Sequence, residues 1–246
     1  MELLLLAAPA GSPRVRRVHL LFVGDGNVRR SPAAELLCLE RAQRVAVGSG
    51  QVQVSSAGLT ATVGEPVDQR MLAALARRRI QVGDPRSRPF SVELAESADL
   101  VLCMTGEQRR RVLEARPRLL RRTFTLVEAT ELLTGVPTDG LATLDLPDRA
   151  RELARLLDAA RPLRMPADSY DLPEPSGRRR RAYARSVEQI ARLVQPLSSV
   201  LFEVRPPTER ADVLSRQAPT RPAGVELAER RGRPETSVAH PPTGVS

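Results

Sequence analysis

The run from His19 to Val23 is apolar after its first residue, ends on Gly24, and leads through a short glycine-bearing turn into a segment opened by Pro32. That succession of a buried strand, a tight turn and a helix constrains the fold more than any other feature, because it recurs. Pro32 is favoured in a helix's first turn and predicts a helix to about Gln43, with Leu36, Leu37 and Leu39 on its buried face. Val52 to Ser55 reads as a second strand. Asp68 can cap a helix running to about Arg79, with Met71, Leu72 and Leu75 turned inward. Ser91 caps a short helix over Leu94. Leu100 to Met104 is a third strand, Glu107 to Ala115 a helix, and Thr123 to Leu126 a fourth strand. Alternation at this spacing predicts an α/β protein with a four-stranded parallel sheet and helices on both faces. Right-handed crossovers then bring the strand C-termini to one edge, where ligands bind in such sheets.

Beyond Thr134 the pattern becomes uneven. Residues 134–166 read as an insertion holding one helix, Asp148 to Ala160. A last helix is expected from about Arg179, with Val187, Ile190, Val194, Leu197 and Leu201 on one stripe and a kink or break at Pro196. The expected organisation is an N-terminal extension over 1–16, one domain over 17–204, and a disordered Pro- and Arg-rich tail over 205–246. The opening MELLLLAAPAGSP lacks a basic n-region and is read as extension, not as a signal peptide. No apolar stretch approaches the ~20 residues of a membrane helix.

The formal net charge is +9, and all 38 basic residues are Arg. No aromatic residues interleave with them to make a base-stacking surface, so nucleic acid is not the expected partner. The run Arg178 to Arg181 is read as a solvated helix start. The two cysteines, Cys38 and Cys103, form neither a metal motif nor a disulfide framework and read as buried fillers. No metal and no cofactor is expected, and the expected location is cytoplasmic.

The candidate site is the turn leaving the first strand, within residues 20–35. Successive N–H groups of such a turn can converge into an anion nest, and the helix dipole adds partial positive charge there. Gly26 and Asn27 are residue types that tolerate a left-handed backbone. Arg30 supplies a planar fork that matches two oxygens of a phosphate. All of these features suit a tetrahedral dianion; the alternative is an ordinary βα turn with an exposed Arg pair.

Gly26-Asn27 and Arg30-Ser31-Pro32 resemble the phosphatase loop of the low-molecular-weight protein-tyrosine phosphatases. Further matches follow in family order: Ser55-Ser56-Ala57-Gly58, Asp68 and Arg70, Arg88 before Pro-Phe, Asp99 to Met104, and Asp171-Leu-Pro-Glu-Pro175. The resemblance spans about residues 17–202 and implies the flavodoxin-like fold of that family. It also implies that the ligand is phosphate or a phosphorylated protein or small molecule, held by Asp25, Gly26, Asn27, Val28, Arg29, Arg30 and Ser31, that Arg30 grips the phosphate, that Asn27 holds the loop's shape, and that Ser31 and Ser56 support it. The family's nucleophile is a cysteine that opens the loop; the matching position here is Gly24. The general-acid position falls on Glu174, and Ser176 stands where an aromatic residue usually lines the cleft. The resemblance thus implies a phosphate-binding member impaired in catalysis. The alternative is a residual phosphomonoester hydrolase using water or Asp25, whose side chain is expected to aim away from the in-line position.

Overall fold

The computed structural model describes residues 16–45, 50–163, 169–175, 177 and 179–203. The expected tail and nearly all of the expected N-terminal extension lie outside these residues, as do Ser176 and Arg178. Four strands form one sheet in the order β2-β1-β3-β4, and every pairing is parallel. The strands are β1 (Val18–Gly24), β2 (Val52–Gly58), β3 (Leu100–Cys103) and β4 (Thr123–Thr125).

Alternation along β1 sends its residues to two cores. Val18, Leu20 and Phe22 join the larger one; Leu21 and Val23 join the smaller. The larger core is covered by α1 (Arg30–Arg44), α2 (Gln69–Arg77), α5 (Leu126–Leu133), α6 (Leu146–Ala160) and α7 (Arg180–Phe202). The smaller is covered by α3 (Val92–Ser97) and α4 (Gly106–Ala115). Helices therefore lie on both faces, as the sequence pattern predicts.

Several boundaries differ from expectation for physical reasons. Helix α1 begins at Arg30, so Arg30 and Ser31 belong to its first turn and not to the preceding loop. The fourth strand stops at Thr125, because Thr125 caps α5: its side chain accepts from Glu128 N, and Glu128 reaches back in a capping box. That helix is absent from the sequence reading. In the segment expected as an insertion, α6 starts earlier than Asp148, with Asp145 as its cap, and buries Ala150, Leu153, Ala154 and Leu157 in the larger core.

The expected break at Pro196 does not occur; α7 runs unbroken through it. A proline removes one backbone donor and crowds the preceding turn. The helix continues because Val194, Leu197, Ser198 and Leu201 are buried around it.

Candidate active site

Registers Gly24↔Gly58, Val23↔Cys103 and Cys103↔Thr125 align the strand ends along one edge. The loop 25–29 crosses that edge and is held by its own carbonyls. Gly24 O accepts from Leu59 N, Asp25 O from Thr60 N, and Val28 O from Asp68 N, at 2.9–3.0 Å. Gly26 O accepts from Ser87 Oγ at 2.9 Å. With the carbonyls tied outward, none of the N–H groups of Gly26, Asn27, Val28 and Arg29 finds an acceptor among the described residues. No side chain caps α1 either. A run of free amide donors at an uncapped helix start is an arrangement suited to an anion.

Asn27 fixes this shape. It is buried and sits at φ 56°, in the left-handed region. Its Nδ2 donates to Ser31 Oγ at 3.1 Å and to Ser56 Oγ at 2.8 Å, and its Oδ1 accepts from Arg88 N at 2.8 Å. Ser56 Oγ donates to Glu35 Oε2 at 2.6 Å. Glu35's pKa is raised by burial and held back by its bond from Ser56. Gly58 lies directly under the loop: a Cβ there would stand 2.1 Å from Asp25 O and 2.8 Å from Asn27 N. Only glycine fits so close to another segment's backbone.

Arg30 is 5% exposed and points into the site edge, away from solvent. Its Nε and Nη2 each lie 2.5 Å from Glu174 Oε1, and its Nη1 donates to Leu172 O at 2.5 Å. The structure thus brings Glu174 onto the same guanidinium that the sequence assigns to phosphate. The 171–175 segment is anchored by Leu172 N to Met104 O and by Gly106 N to Asp171 Oδ1. Arg29 reaches Asp68 at 3.3 Å and Glu174 at 3.5 Å. Asp68 also accepts from Tyr183 OH, which ties α7 to the loop.

Asp25 is half exposed, accepts from Gln108 Nε2 at 2.6 Å, and lies 3.7 Å from Arg111 and 3.9 Å from Arg30. Gly24 is buried at the start of the loop, and a Cβ on it would meet Ser31 Oγ at 2.8 Å. Cys38 and Cys103 are both buried, as expected. Burial pushes the Cys38 thiol up to about 12 and the Cys103 thiol up as well. No cluster able to hold a metal ion occurs among the described residues. No helix among them is long and apolar enough to cross a membrane.

Sequence reasoning misses Glu35, Gln108, Tyr183 and the Leu172 carbonyl. Only Gln108 leaves a local signal, the spacing Thr105-x-x-Gln108 of a capping box. Its amide bridges that box to Asp25. The others act across long sequence separations.

Comparison with known proteins gives consistent likenesses. The family model for low molecular weight phosphotyrosine protein phosphatase matches residues 19–135. A protein-arginine-phosphatase of Bacillus subtilis is 35% identical over 111 residues, covering 45% of this chain and 71% of that protein. The probable low molecular weight protein-tyrosine-phosphatase EpsP of Ralstonia solanacearum is 31% identical over 109 residues, covering 44% and 70%. A crystal structure of a YwlE mutant from Bacillus subtilis superposes with a TM-score of 0.56 at 26% identity, over 76% of this chain and 99% of that one.

Proposed function

Given that this chain belongs to the low molecular weight protein-tyrosine phosphatase family, we propose that its segment 24–31, the strand end, loop and first helical residues, binds phosphate or a phosphorylated protein side chain without forming a covalent intermediate. The observation that carries the reading is Gly24 itself: a residue without a side chain opens a loop whose amides and guanidinium suit an oxyanion. Covalent phosphatase chemistry needs a nucleophile held at that point. Neither cysteine supplies one, since both thiols are buried in the cores. Asp25 is the nearest other candidate, and its carboxylate is engaged by Gln108 at the loop's flank.

Without a thiolate, the loop carries one negative charge fewer against an incoming dianion, which favours binding over turnover. Relatives are named for phosphoarginine and for phosphotyrosine substrates. The proposed ligand is the phosphoryl group those substrates share.

The test is a titration of wild type and Arg30→Ala with phosphate, sulfate and vanadate, together with a p-nitrophenyl phosphate assay. The expected result is millimolar or tighter binding that Arg30→Ala abolishes, with turnover no higher than that of the Arg30→Ala protein. Turnover clearly above that level would favour the alternative, hydrolysis by water or Asp25 with Glu174 as acid. Absence of anion binding at millimolar ligand would remove the reading. Gly24→Cys should raise phosphatase activity by orders of magnitude, given the ~10⁶-fold cost of losing a nucleophile in other enzymes.

A further inference from the structure

The edge of the sheet opposite the loop carries a second concentration of positive charge. A 3-10 helix, Pro117–Arg122, leads into β4, and α6 packs beside it. Between them lies a cavity of about 310 Å³, lined by Arg118, Arg121 and Arg122 from the 3-10 helix and by Arg151 and Arg155 from α6. The spacings account for the alignment. Residues three apart eclipse on a 3-10 helix, as Arg118 and Arg121 do; residues four apart share one face of an α-helix, as Arg151 and Arg155 do. Ala154 and Ala159 complete the α6 wall, and their single methyls leave the space open. Asp99, at the floor, immediately precedes β3, so about 13 Å of strand separates it from the loop edge.

The carboxylates in this cavity are already engaged. Asp99 accepts from His19 N and pairs with Arg151, both at 3.0 Å. Asp158 pairs with Arg161, and Arg155 pairs with Glu152 at 2.6 Å. The 3-10 helix is left with donors to spare. Arg121 lies 4.0 Å from Asp158, Arg122 donates to the Glu96 carbonyl at 3.0 Å, and Arg118 meets no partner among the described residues. Five cations against two carboxylates repel one another around so small a space, and an anion between them removes that repulsion.

We propose that this cavity is a second ligand site, for a free condensed phosphate: a chain of two or three phosphoryl groups held between the arginines of the 3-10 helix and those of α6. Guanidinium forks match phosphoryl oxygens, and forks on two facing elements suit an anion with several phosphoryl groups in line. The volume sits at the lower end of the ~300–1,000 Å³ of small-molecule pockets, which suits a compact ligand and not a folded partner. No aromatic residue lines the cavity, so it offers nothing on which the base of a nucleotide could stack. The site shares no residue with the segment 24–31 and works independently of it.

The experiment is a calorimetric titration of the full chain carrying Arg30→Ala, so that the result does not depend on the phosphate loop. The probes are tripolyphosphate, orthophosphate, adenosine triphosphate and a polyglutamate peptide. Tripolyphosphate should bind, and adding Arg118→Gln with Arg121→Gln should weaken it about tenfold or more, the order expected for lost hydrogen bonds to a charged group. Arg77→Gln with Arg192→Gln removes the same charge from exposed positions elsewhere and should stay within about twofold. Orthophosphate, with one phosphoryl group to offer, should bind about tenfold more weakly than tripolyphosphate. Circular dichroism confirms that each variant is folded. The site is overturned if tripolyphosphate fails to bind at millimolar ligand, or if the two arginine pairs weaken it equally, which would show general attraction to a basic chain. Orthophosphate binding as tight as tripolyphosphate overturns the chain. A nucleotide or polyglutamate that binds more tightly through Arg118 and Arg121 overturns the free condensed phosphate as ligand.

Discussion

Glu174 Oε1 sits 2.5 Å from both Nε and Nη2 of Arg30, so one carboxylate oxygen takes the two-donor edge of the guanidinium. An oxyanion that uses the same edge must displace Glu174 or share it. Glu174→Gln removes the competing charge, and phosphate affinity should rise by roughly three- to tenfold; the contact is partly open to solvent, which keeps the effect modest. Calorimetric titration checks this. A drop in affinity would mean that Glu174 helps hold the ligand. In a Gly24→Cys background the same change should lower turnover instead, as a general-acid role proposed for position 174 requires.

Asn27→Ala removes three hydrogen bonds, two of them buried, and leaves Arg88 N–H without its partner. It also places an alanine at φ 56°. At about 1 kcal/mol per bond, plus a similar backbone term, the expected loss is roughly 4 kcal/mol. Chemical denaturation would measure it, and anion binding should disappear with it.

His19 gives the fold a pH dependence. Ser97 Oγ already donates to Leu94 O, so it accepts from His19 Nδ1, and His19 Nε2 then accepts from Ser55 Oγ. Burial holds the imidazole pKa below 6.5, against bonding to Ser97 and the Asp99 charge, which raise it; Arg88 lowers it. The folded state thus binds this proton less readily than the unfolded one. Its contribution is complete above pH 6.5 and is lost as pH falls through 6.5 towards the lower folded value. Glu35 and Asp99, whose pKa values burial raises, act with the opposite sign. Melting curves from pH 7.5 to 5.0 should therefore fall less steeply for His19→Gln than for wild type.

The thiols offer a direct readout. With Cys38 at about 12 and Cys103 also raised by burial, the native protein should release almost nothing from a disulfide reagent at pH 8 in the first minutes. Denaturation should expose both cysteines. Gly24→Cys should add one equivalent that reacts at once, since on the proposed reading the free amide donors of residues 26–29 stabilise a thiolate there. A silent third thiol would show that position 24 does not open onto the loop's interior.

The sheet, its parallel order and the edge that carries the loop are legible in the sequence, because strand and helix signals are local and recur. Helix α5 is not, although its signal is present: the reading of Thr123 to Leu126 as strand runs over the Thr125-x-x-Glu128 box that ends β4. Pro196 misleads for another reason, since burial on α7 outweighs one missing donor. At the site, Gly24, Asn27, Arg30 and Glu174 are visible as residue types, but the Arg30–Glu174 contact is not. It joins positions 144 residues apart, and no local pattern encodes which of several arginines a loop carboxylate will find. The same holds for Asn27, whose near partner Ser31 is readable while Ser56 and Arg88 depend on the folded sheet.

Gly58, pressed against the backbone of Asp25 and Asn27, has a consequence for how such a loop can change over time. The turn is moulded by its neighbours: a side-chainless strand end below, an asparagine within, and carbonyls tied to the surrounding chain. None of these supports draws on a side chain at position 24. On the proposed reading, reactivity and contour are written in different residues, so a protein of this build can give up the first and still keep a socket cut for the same group.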